Sequence, residues 1–320
     1  LKVRRILALL PRLRDESFDL IHIQTPFIAH WAGVKLARRL NIPVVETCHT
    51  HFEEYLFHYI PLMPRESMQA LARWFTRRQC NHVDAVVVPS RPMHEVLGRY
   101  GVQVPVSIVP TGIDVEIMQG GSGERFRRAH GIAPDQPVLV HVGRVAHEKN
   151  IGFLLEMLAI VRQSLPDVLL VIAGEGPARS ALLEHAVATG LKDSVRFVGY
   201  LTRGPDLWDC FCAGDAFVFA SATETQGLVL LEAMALGVPV VSTAVLGTKD
   251  ILEPGLGALV AKEDVKDFAA QVVRLLAEPG LRDRLSAGGR CYASQWSSSR
   301  KAELLLEVYD DVLLSKQPIT

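Results

Sequence analysis

The chain has 320 residues, of which 49% are hydrophobic and 22% charged, and its formal net charge is −1. This length suits two domains of roughly 100–200 residues each. The near-neutral balance argues against nucleic acid as a partner, because a protein that binds it in a groove normally has a strong basic excess. No run of ~20 apolar residues marks a membrane span, and the opening residues lack a signal-peptide cleavage site, so we expect a cytoplasmic protein.

Short runs of β-branched apolar residues alternate with longer amphipathic segments, which is the pattern of βαβ units in a parallel sheet. The chain opens on a predicted helix. The candidate strands are residues 20–24, 44–48, 85–89 and 106–110 in the first half, and 138–142, 169–173, 195–198, 216–220 and 240–243 in the second. The candidate helices begin near residues 27, 66, 92, 151, 178, 226 and 265.

The glycine-rich run 119–123 separates the two strand–helix series and is predicted to be a flexible connection. We therefore predict one domain over residues 1–118, a second over 119–295, and a C-terminal helix over 296–320 that returns to the first domain. In open α/β sheets, ligands bind beyond the carboxyl ends of the strands. The loops after the second-half strands are thus expected to face a cleft between the domains.

The first functional pattern follows the predicted strand that ends at Val142. Gly143 lets the backbone come close to a ligand, while Arg144 and Lys149 bring two cations to the start of the next helix. The free N–H groups at a helix start already favour an anion. The pattern predicts a diphosphate site that needs no metal ion, although solvated surface cations are the ordinary alternative.

The second pattern is a pair of carboxylates, Glu224 in the loop after a strand and Glu232 in an apolar helix. Glu232 lies six residues beyond Gln226, a helical rise of about 9 Å. Carboxylates so spaced suit hydroxyl groups at opposite ends of an elongated polyol. A capping residue plus an ordinary helical glutamate is the alternative, but Glu232 is flanked by Leu231 and Ala233, and a buried carboxylate needs a partner.

Together these patterns resemble the signatures of the retaining GT-B glycosyltransferases of glycosyltransferase group 1. Glu224 and Glu232 match the E-x7-E pair of that family, and residues 143–150 match its other signature. Residues 110–114, 174–177 and 197–200 resemble three further motifs, in the family's order. The resemblance covers essentially the whole chain and implies an α/β fold of two doubly wound Rossmann-like domains. The N-terminal domain is expected to be incomplete, because relatives place a strand and a Gly-rich loop before the one at residues 20–24.

The resemblance also implies a role for each matching residue in the second, donor-binding domain. Arg144 and Lys149, beside Gly143, would bind the donor diphosphate and offset charge on the leaving group. Glu224 would hold hydroxyls of the sugar ring, and Glu232 those of the ribose. Backbone groups near the base, the sugar or the phosphate would come from Tyr200, Leu201, Gly227 and Leu228. The donor is a nucleotide-sugar co-substrate, and neither a metal nor another cofactor is implied.

His49 is the candidate from the first, acceptor-side domain, in the segment 46–50 where a strand ends. A lone histidine is more often structural than catalytic. This one resembles the family's active-site histidine, which lies against the transferred sugar, and it completes a catalytic set with Glu224, Arg144 and Lys149. The implied reaction is transfer with retention, in which the leaving phosphate helps to deprotonate the incoming hydroxyl. A separate glycosidase-like pair of carboxylates is then not required.

The segment 49–60 looks similar to the bacterial diacylglycerol glucosyltransferases of this family. We expect UDP-glucose as donor, ahead of GDP-mannose, and a lipid acceptor, ahead of a glycan and then a small molecule. The predicted helix 64–80 carries four arginines beside Met68, Leu71, Trp74 and Phe75. Such a helix suits peripheral contact with the anionic inner face of the plasma membrane. An ordinary helix packed on its own sheet is the alternative.

Two other functions remain open on the sequence alone. An inactive nucleotide-sugar-binding protein, or a truncated remnant, is favoured by the missing N-terminal loop. The joint presence of His49, Arg144, Lys149, Glu224 and Glu232 argues against it. A nucleotide-sugar epimerase on the same fold would need a carboxylate-rich cleft for proton abstraction, and no cluster in the sequence singles one out.

Overall fold

The chain divides into two units, which are described here from a computed structural model. Unit 1 comprises Leu1–Thr111 with Ser299–Thr320, and unit 2 comprises Gly112–Ser298. The structure describes residue 6 and residues 8–53 and 64–316. The predicted acceptor segment therefore lies partly outside the described residues, from Glu54 to Ile60. No helix within the described ranges is both long and apolar enough to cross a bilayer.

Unit 1 contains a four-stranded parallel sheet whose strands lie side by side in chain order. The strands are β1 (Ile21–Ile23), β2 (Val44–Thr47), β3 (Ala85–Val88) and β4 (Val106–Ile108). The helices of this unit are α1 (Leu10–Asp15), α2 (Ile28–Leu40), α3 (Arg65–Cys80), α4 (Arg91–Tyr100) and the C-terminal α13 (Ser298–Lys316). Every residue of β2 and β3 is buried, as expected for central strands of a parallel sheet.

The C-terminal helix α13 packs on one face of the unit 1 sheet. Val308 and Val312 of α13 form a buried cluster with Val45 of β2 and with Ala85 and Val87 of β3. Because successive side chains of a strand point to opposite faces, these alternate residues all lie on the same side. The last helix of the chain thus completes the core of the first unit.

Unit 2 contains a six-stranded parallel sheet. Its strands are β5 (Val138–Val142), β6 (Leu169–Ala173), β7 (Val195–Gly199), β8 (Ala216–Phe219), β9 (Val240–Thr243) and β10 (Ala258–Ala261). Its helices are α5 (Gly123–Ala129), α6 (Ile151–Val161), α7 (Arg179–Ala188), α8 (Pro205–Cys212), α9 (Leu228–Ala235), α10 (Thr248–Leu252), α11 (Val265–Ala277) and α12 (Leu281–Ser294). Two buried apolar clusters, built from the strands and from helices such as α6, α9 and α11, form the core of the unit.

The strand order of unit 2 is β10-β9-β8-β5-β6-β7, which is a doubly wound sheet. The direction of winding reverses between β5 and β8, which pair in parallel through Leu139 and Val140. Ligands of such sheets bind in the crevice outside the carboxyl ends of the strands at this switch point. The loops after β5 and β8 are therefore the first place to look for a site in this unit.

The glycine-rich run 119–123 is not the flexible connection that we predicted. A Cβ on Gly123 would lie 2.2 Å from the backbone oxygen of Cys212, so the run packs directly on α8. The backbone nitrogen of Ser122 donates to Asp209 Oδ1 at 2.6 Å. Glycine serves here for close backbone approach, a use that composition alone does not distinguish from a linker.

The unit boundaries also differ from the predicted residues 118 and 295. Residues 112–118 belong to unit 2, where the nitrogen of Ile113 donates to the oxygen of Trp296 at 2.8 Å. The nitrogen of Ser298 donates back to the oxygen of Ile113 at 3.2 Å. This pairing of distant segments holds both ends of unit 2 together, and a local pattern in the sequence carries no sign of it.

Candidate functional site

The loops that follow β5 and β8 are tied to each other at the switch point of unit 2. Asn150 Nδ2 donates to the backbone oxygen of Ala220 at 3.3 Å, and Ser221 Oγ donates to the backbone oxygen of Glu148 at 3.2 Å. Asn150 has a left-handed backbone with φ of 53°, which Asn tolerates better than most residues, and α6 begins directly after it. The two loops therefore present their side chains as one surface.

An ion pair joins the two strongest sequence candidates on these loops. Lys149 Nζ donates to Glu224 Oε1, and both side chains are about one-fifth exposed. Lys149 ends a short 3₁₀ turn after β5, and Glu224 lies in the loop after β8. The structure thus brings together a cation and a carboxylate that are 75 residues apart in sequence. Each remains partly open to a ligand.

The loops after β5 and β6 touch through their backbones. A Cβ on Gly174, whose φ is 140°, would lie 1.9 Å from the backbone oxygen of Gly143. A Cβ on Gly176 would lie 2.3 Å from the backbone oxygen of Val145. Only glycine fits at these two positions, so the Gly-rich motif predicted at residues 174–177 serves close loop packing at the rim of the site.

A cavity of about 440 Å³ opens beside these loops in unit 2. This volume lies in the range of ordinary small-molecule sites, roughly 300–1,000 Å³. The residues that line it come from the ends of β5 and β6, the loops after β5, β6 and β7, and the start of α8: Val142, Gly143, Arg144, Ala173, Gly174, Glu175, Tyr200, Leu201, Arg203 and Leu207. Four predicted site residues, Gly143, Arg144, Tyr200 and Leu201, thus share one cavity.

Glu232 does not line this cavity itself, but it pairs with Arg203, a lining residue that was not predicted from the sequence. Arg203 Nη1 lies 2.7 Å from Glu232 Oε1, and the Glu232 side chain is only 10% exposed. Burial raises the pKa of Glu232, while the guanidinium of Arg203 offsets part of the rise. The guanidinium carbon of Arg203 also lies 5.5 Å from the ring centroid of Trp208. This cation–π contact holds Arg203 on a second side.

Gly227 and Leu228 stand at the start of α9, which begins two residues later than predicted. Gly227 has φ of 93°, outside the helical range, and a Cβ there would lie 2.9 Å from Cγ2 of Thr248. Gln226 is buried, with 5% of its surface exposed. The residues that line the described cavity do not include Gly227, Leu228, Lys149 or Glu224.

His141 is a buried histidine of β5, and its contacts indicate a structural role. Its Nδ1 donates to the backbone oxygen of Val218 at 3.1 Å, and its ring stacks on Phe219 at a centroid distance of 5.7 Å. Burial lowers the pKa of His141 to about 4, so the ring is neutral near pH 7. Its bond to β8 locks the two strands that flank the switch point.

His49 lies in unit 1, directly after β2, and belongs to a network of neutral groups. Its Nε2 lies 3.1 Å from Gln24 Oε1. The Gln24 amide nitrogen lies 3.2 Å from both ring nitrogens of His22. His22 Nδ1 lies 2.6 Å from the Tyr309 hydroxyl, and His22 Nε2 lies 2.7 Å from Thr47 Oγ1.

Both histidines of this network are poor bases. Burial, reinforced by the nearby His49, lowers the pKa of His22 to about 4. The His49 side chain is exposed, but the protein packed around its ring still lowers the pKa of His49. Both rings are therefore neutral near pH 7, and neutral imidazole offers one donor and one acceptor nitrogen.

Glu46, in the same sequence motif as His49, has a structural role. It is 5% exposed, and its two carboxylate oxygens are bonded to different helices. His30 Nδ1 of α2 lies 2.9 Å from Oε2, and Gln79 Nε2 of α3 donates to Oε1 at 3.1 Å. Glu46 therefore ties β2 to α2 and α3.

The described residues contain no group of three or more His, Cys, Asp or Glu side chains arranged to hold a metal ion. Near the switch point of the doubly wound sheet in unit 2, candidate residues form cation–carboxylate pairs, and a cavity opens beside the loops after β5, β6 and β7. The unit thus has the layout of the ligand-binding α/β proteins.

The comparison with known families assigns both halves of the chain. Residues 122–291 match the family described as glycosyl transferases group 1, and residues 1–117 match glycosyltransferase family 4. The chain therefore belongs to the glycosyl transferases group 1 family.

Curated relatives include an alpha-monoglucosyldiacylglycerol synthase of Streptococcus pneumoniae, 37% identical over 72% of this chain and 52% of that protein. The sulfoquinovosyl transferase SQD2 of Arabidopsis thaliana is 30% identical over 90% of this chain and 56% of its own length. A D-inositol 3-phosphate glycosyltransferase of Salinispora arenicola is 31% identical over 94% and 70%. The chain spans about half the length of the first two relatives.

Solved structures share the fold. HepE of Anabaena, crystallised with UDP and glucose, superposes with a TM-score of 0.81 at 18% identity, covering 96% of this chain and 81% of that one. A sucrose-phosphate synthase from Thermosynechococcus elongatus gives a TM-score of 0.78 at 20% identity, covering 98% and 79%. The chain accordingly has the GT-B fold, with two Rossmann-like sheets.

Proposed function

We propose that this chain provides the donor-binding and active-site residues of a retaining glycosyltransferase, which moves a hexosyl group from a nucleotide sugar to a hydroxyl acceptor. The observation that carries the proposal is the Lys149–Glu224 pair at the switch point of unit 2. A diphosphate would replace Glu224 as the partner of Lys149. Glu224 would then be released to accept hydrogen bonds from the sugar hydroxyls.

Two cations support the stabilisation of a diphosphate leaving group. Arg144 is about half exposed at the rim of the cavity, with Nη1 3.8 Å from Glu148 Oε1, and Lys149 follows five residues later. Fixed positive charges near a developing anion stabilise the transition state, which is a task that a metal ion performs in other enzymes. We therefore propose that transfer needs no metal, with the nucleotide sugar as co-substrate.

Glu232 and the cavity support a nucleoside subsite. A buried carboxylate beside a cavity suits the two hydroxyls of a ribose, because it accepts a hydrogen bond at each oxygen. Arg203 keeps Glu232 in place and remains at the cavity wall. Tyr200 and Leu201 line the same cavity, and their backbone groups are proposed to contact the base. Those of Gly227 and Leu228, at the start of α9, are proposed to contact the sugar or phosphate.

The preferred donor is UDP-glucose and the preferred acceptor is a membrane lipid such as diacylglycerol. The Streptococcus pneumoniae relative is named for an alpha-glucosyl lipid product. UDP-glucose carries its glucose in the alpha linkage, so an alpha product made from it corresponds to retention. GDP-mannose is the second donor to test, and a glycan is the second acceptor.

A transfer assay tests this function. We expect this chain to transfer radiolabelled glucose from UDP-glucose to diacylglycerol in mixed micelles containing EDTA, and NMR of the product to show an alpha anomer. A beta anomer would refute retention. Binding of UDP-glucose without transfer to a lipid or glycan would favour the inactive binding protein instead, and interconversion of free nucleotide sugars would favour an epimerase.

The surface of α3 supports peripheral contact with an anionic membrane. Leu71 and Trp74 are 48% and 49% exposed on neighbouring turns. The Arg78 guanidinium lies 5.5 Å from the Trp74 ring centroid, so apolar and basic groups are contiguous. Phe27, which is 51% exposed, stacks on Phe75 of the same helix at 5.3 Å. Met68, predicted to share this surface, is instead buried at 2% and belongs to the core.

Vesicle sedimentation at low salt tests the membrane proposal. Leu71→Ser with Trp74→Ser should lower binding to vesicles containing phosphatidylglycerol by about tenfold or more, since burying each apolar side chain contributes about 1.5–3 kcal/mol. The matched control is Leu306→Ser with Leu314→Ser on α13, where the leucines are 57% and 64% exposed among acidic residues. Wild-type protein that stays in the supernatant would refute the proposal.

A further inference from the structure

Two cysteines of unit 1 that the proposed reaction does not use lie next to each other. Cys48 directly follows β2 and is half-buried, whereas Cys80 is the last residue of α3 and is buried. Both are free thiols. The Cys80 thiol donates a hydrogen bond to the sulfur of Cys48. Two thiols that are far apart in the sequence are therefore neighbours in the fold.

The backbone itself brings these two side chains together. Successive side chains along a strand point to opposite sides, so Cys48 extends the side of β2 to which Glu46 belongs. Cys80 lies on the buried side of α3 beside Gln79. Gln79 Nε2 donates to Glu46 Oε1 at 3.1 Å, which joins the strand to the helix one step away from the cysteines. The contact between the thiols therefore follows from how β2 and α3 pack.

The two thiols differ in reactivity. The hydrogen bond from Cys80 lowers the pKa of the Cys48 thiol, against the opposing effect of burial. The same hydrogen bond, together with burial, raises the pKa of Cys80. Because the thiolate is the reactive form, Cys48 reacts first and Cys80 is placed to react with its product. A partly exposed cysteine of low pKa beside a second cysteine is the usual arrangement of a redox-sensing pair.

We propose that Cys48 and Cys80 form a site of reversible oxidation, at which hydrogen peroxide joins them in a disulfide. The Cys48 thiolate attacks one peroxide oxygen and the O–O bond breaks. Cys48 becomes a sulfenic acid, and the other oxygen leaves as hydroxide and is protonated to water. The sulfur of Cys80 then attacks that of Cys48, and the displaced hydroxide takes up the Cys80 proton as a second water. Two thiols are oxidised to one disulfide while one peroxide is reduced to two waters.

The cross-link acts on the segment that carries His49. Cys48, His49 and Cys80 line one small cavity of about 20 Å³. A disulfide holds its sulfurs at about 2.05 Å, which is closer than a hydrogen bond does, so its formation pulls the two cysteines together. Cys80 is fixed in the buried side of α3, so the segment after β2 moves and His49 moves with it. The consequence for transfer rests on the proposed function, in which His49 is an active-site residue.

Peptide mass spectrometry tests the oxidation site without any activity. Reduced protein is treated with hydrogen peroxide, its remaining thiols are alkylated, and it is digested without reductant. We expect a peptide pair linked through Cys48 and Cys80, which dithiothreitol separates. In Cys80→Ala the sulfenic acid has no thiol to react with, so dimedone should label Cys48. In Cys48→Ala, dimedone should leave Cys80 unlabelled, because that thiol is buried and its pKa is raised.

The matched control is Cys291→Ala, which removes an exposed cysteine of unit 2 and should leave the cross-link unchanged. In a transfer assay, peroxide should lower the rate of the wild type on the order of tenfold or more, since a displacement of about 1 Å near reacting groups has an effect of this size. Dithiothreitol should restore the rate, and Cys48→Ala should lose this reversible inhibition.

The inference would be overturned if no linked pair formed in the wild type, or if Cys48 linked to Cys291 as readily as to Cys80. Full transfer activity in the cross-linked protein would also overturn it. A cross-link that forms and reverses in a protein that transfers no sugar even when reduced would instead count against the proposed function.

Discussion

The polar groups at the candidate sites of the two units differ in kind. In unit 2 they are ionic pairs, Lys149 with Glu224 and Arg203 with Glu232. In unit 1 the groups around His49 are neutral and joined by hydrogen bonds, with the pKa of His22 lowered to about 4. Paired charges can be exchanged for the charges of a ligand, whereas neutral hydrogen bonds hold side chains in place without offering a charge. The first arrangement suits binding and the second suits orientation.

We expect the largest effect from removing a cation of the ion pairs in unit 2. Lys149→Ala should weaken UDP binding by roughly 10- to 150-fold, since a hydrogen bond to a charged group contributes about 1.5–3 kcal/mol. Binding of uridine, which has no phosphate, should change little. Titration calorimetry measures both, with Lys266→Ala on the exposed surface of α11 as control. Equal losses for UDP and uridine would show that Lys149 acts on the fold rather than on the phosphate.

A second variant tests whether Glu232 recognises a ribose. Glu232→Gln should weaken UDP binding by about tenfold, at the lower end of the effect of losing a charged acceptor. The same variant should hardly affect 2′-deoxy-UDP, because the hydroxyl that Glu232 would bind is already absent. Competition against a fluorescent nucleotide gives the four affinities. If the variant loses the same factor for both nucleotides, the proposed ribose contact is wrong.

The Arg203–Glu232 pair predicts a pH dependence. Burial raises the pKa of Glu232, so its ionised form, and with it UDP affinity, should decline on acidification from a higher pH than for an ordinary glutamate. Arg203 lowers that pKa, so in Arg203→Leu the decline should begin at a higher pH still. Affinities measured across a pH series in wild type, Arg203→Leu and Glu232→Gln check this. Parallel curves in all three proteins would exclude Glu232 as the titrating group.

The smallest expected effect concerns His141, a neutral group within the charged unit. Its pKa is about 4 in the folded protein and about 6.5 in an unfolded chain, which binds the proton first as the pH falls. Its contribution to stability is therefore complete above about pH 6.5 and is lost between about pH 6.5 and 4. His141→Asn keeps an N–H for Val218 and removes the titration. Thermal unfolding of this variant should depend less on pH in that window, and an unchanged slope would contradict the assignment.

Much of the fold could be predicted from the sequence, because buried parallel strands are local, β-branched and apolar. All nine predicted strands correspond to strands of the structure, within one or two residues at their ends. The strand Ala258–Ala261 was missed, since its four small and apolar residues lie in a short run after two glycines. Helices α5, α8, α10 and α12 were also missed, and the first three are no longer than eight residues, which is too short for a helical apolar repeat to stand out.

The sequence predicts individual residues of the site, but not which of them pair with each other. Gly143 and Arg144 follow β5, and Tyr200 and Leu201 follow β7. They share a cavity because these strands flank β6 and their carboxyl ends lie at the same edge of the sheet. Arg203 follows a strand by the same rule and could have been found on that ground. The pairing of Lys149 with Glu224 could not, because it depends on strand order. The Tyr309–His22 contact joins residues 287 positions apart, and no local pattern announces it.

The most direct test of the account is a calorimetric titration of this chain with UDP, UDP-glucose, GDP and GDP-mannose in the presence of EDTA. We expect UDP and UDP-glucose to bind without a metal ion, and Lys149→Ala to weaken the binding of both. The proposed function would be contradicted if none of the four nucleotides bound, or if binding appeared only after a divalent cation was added.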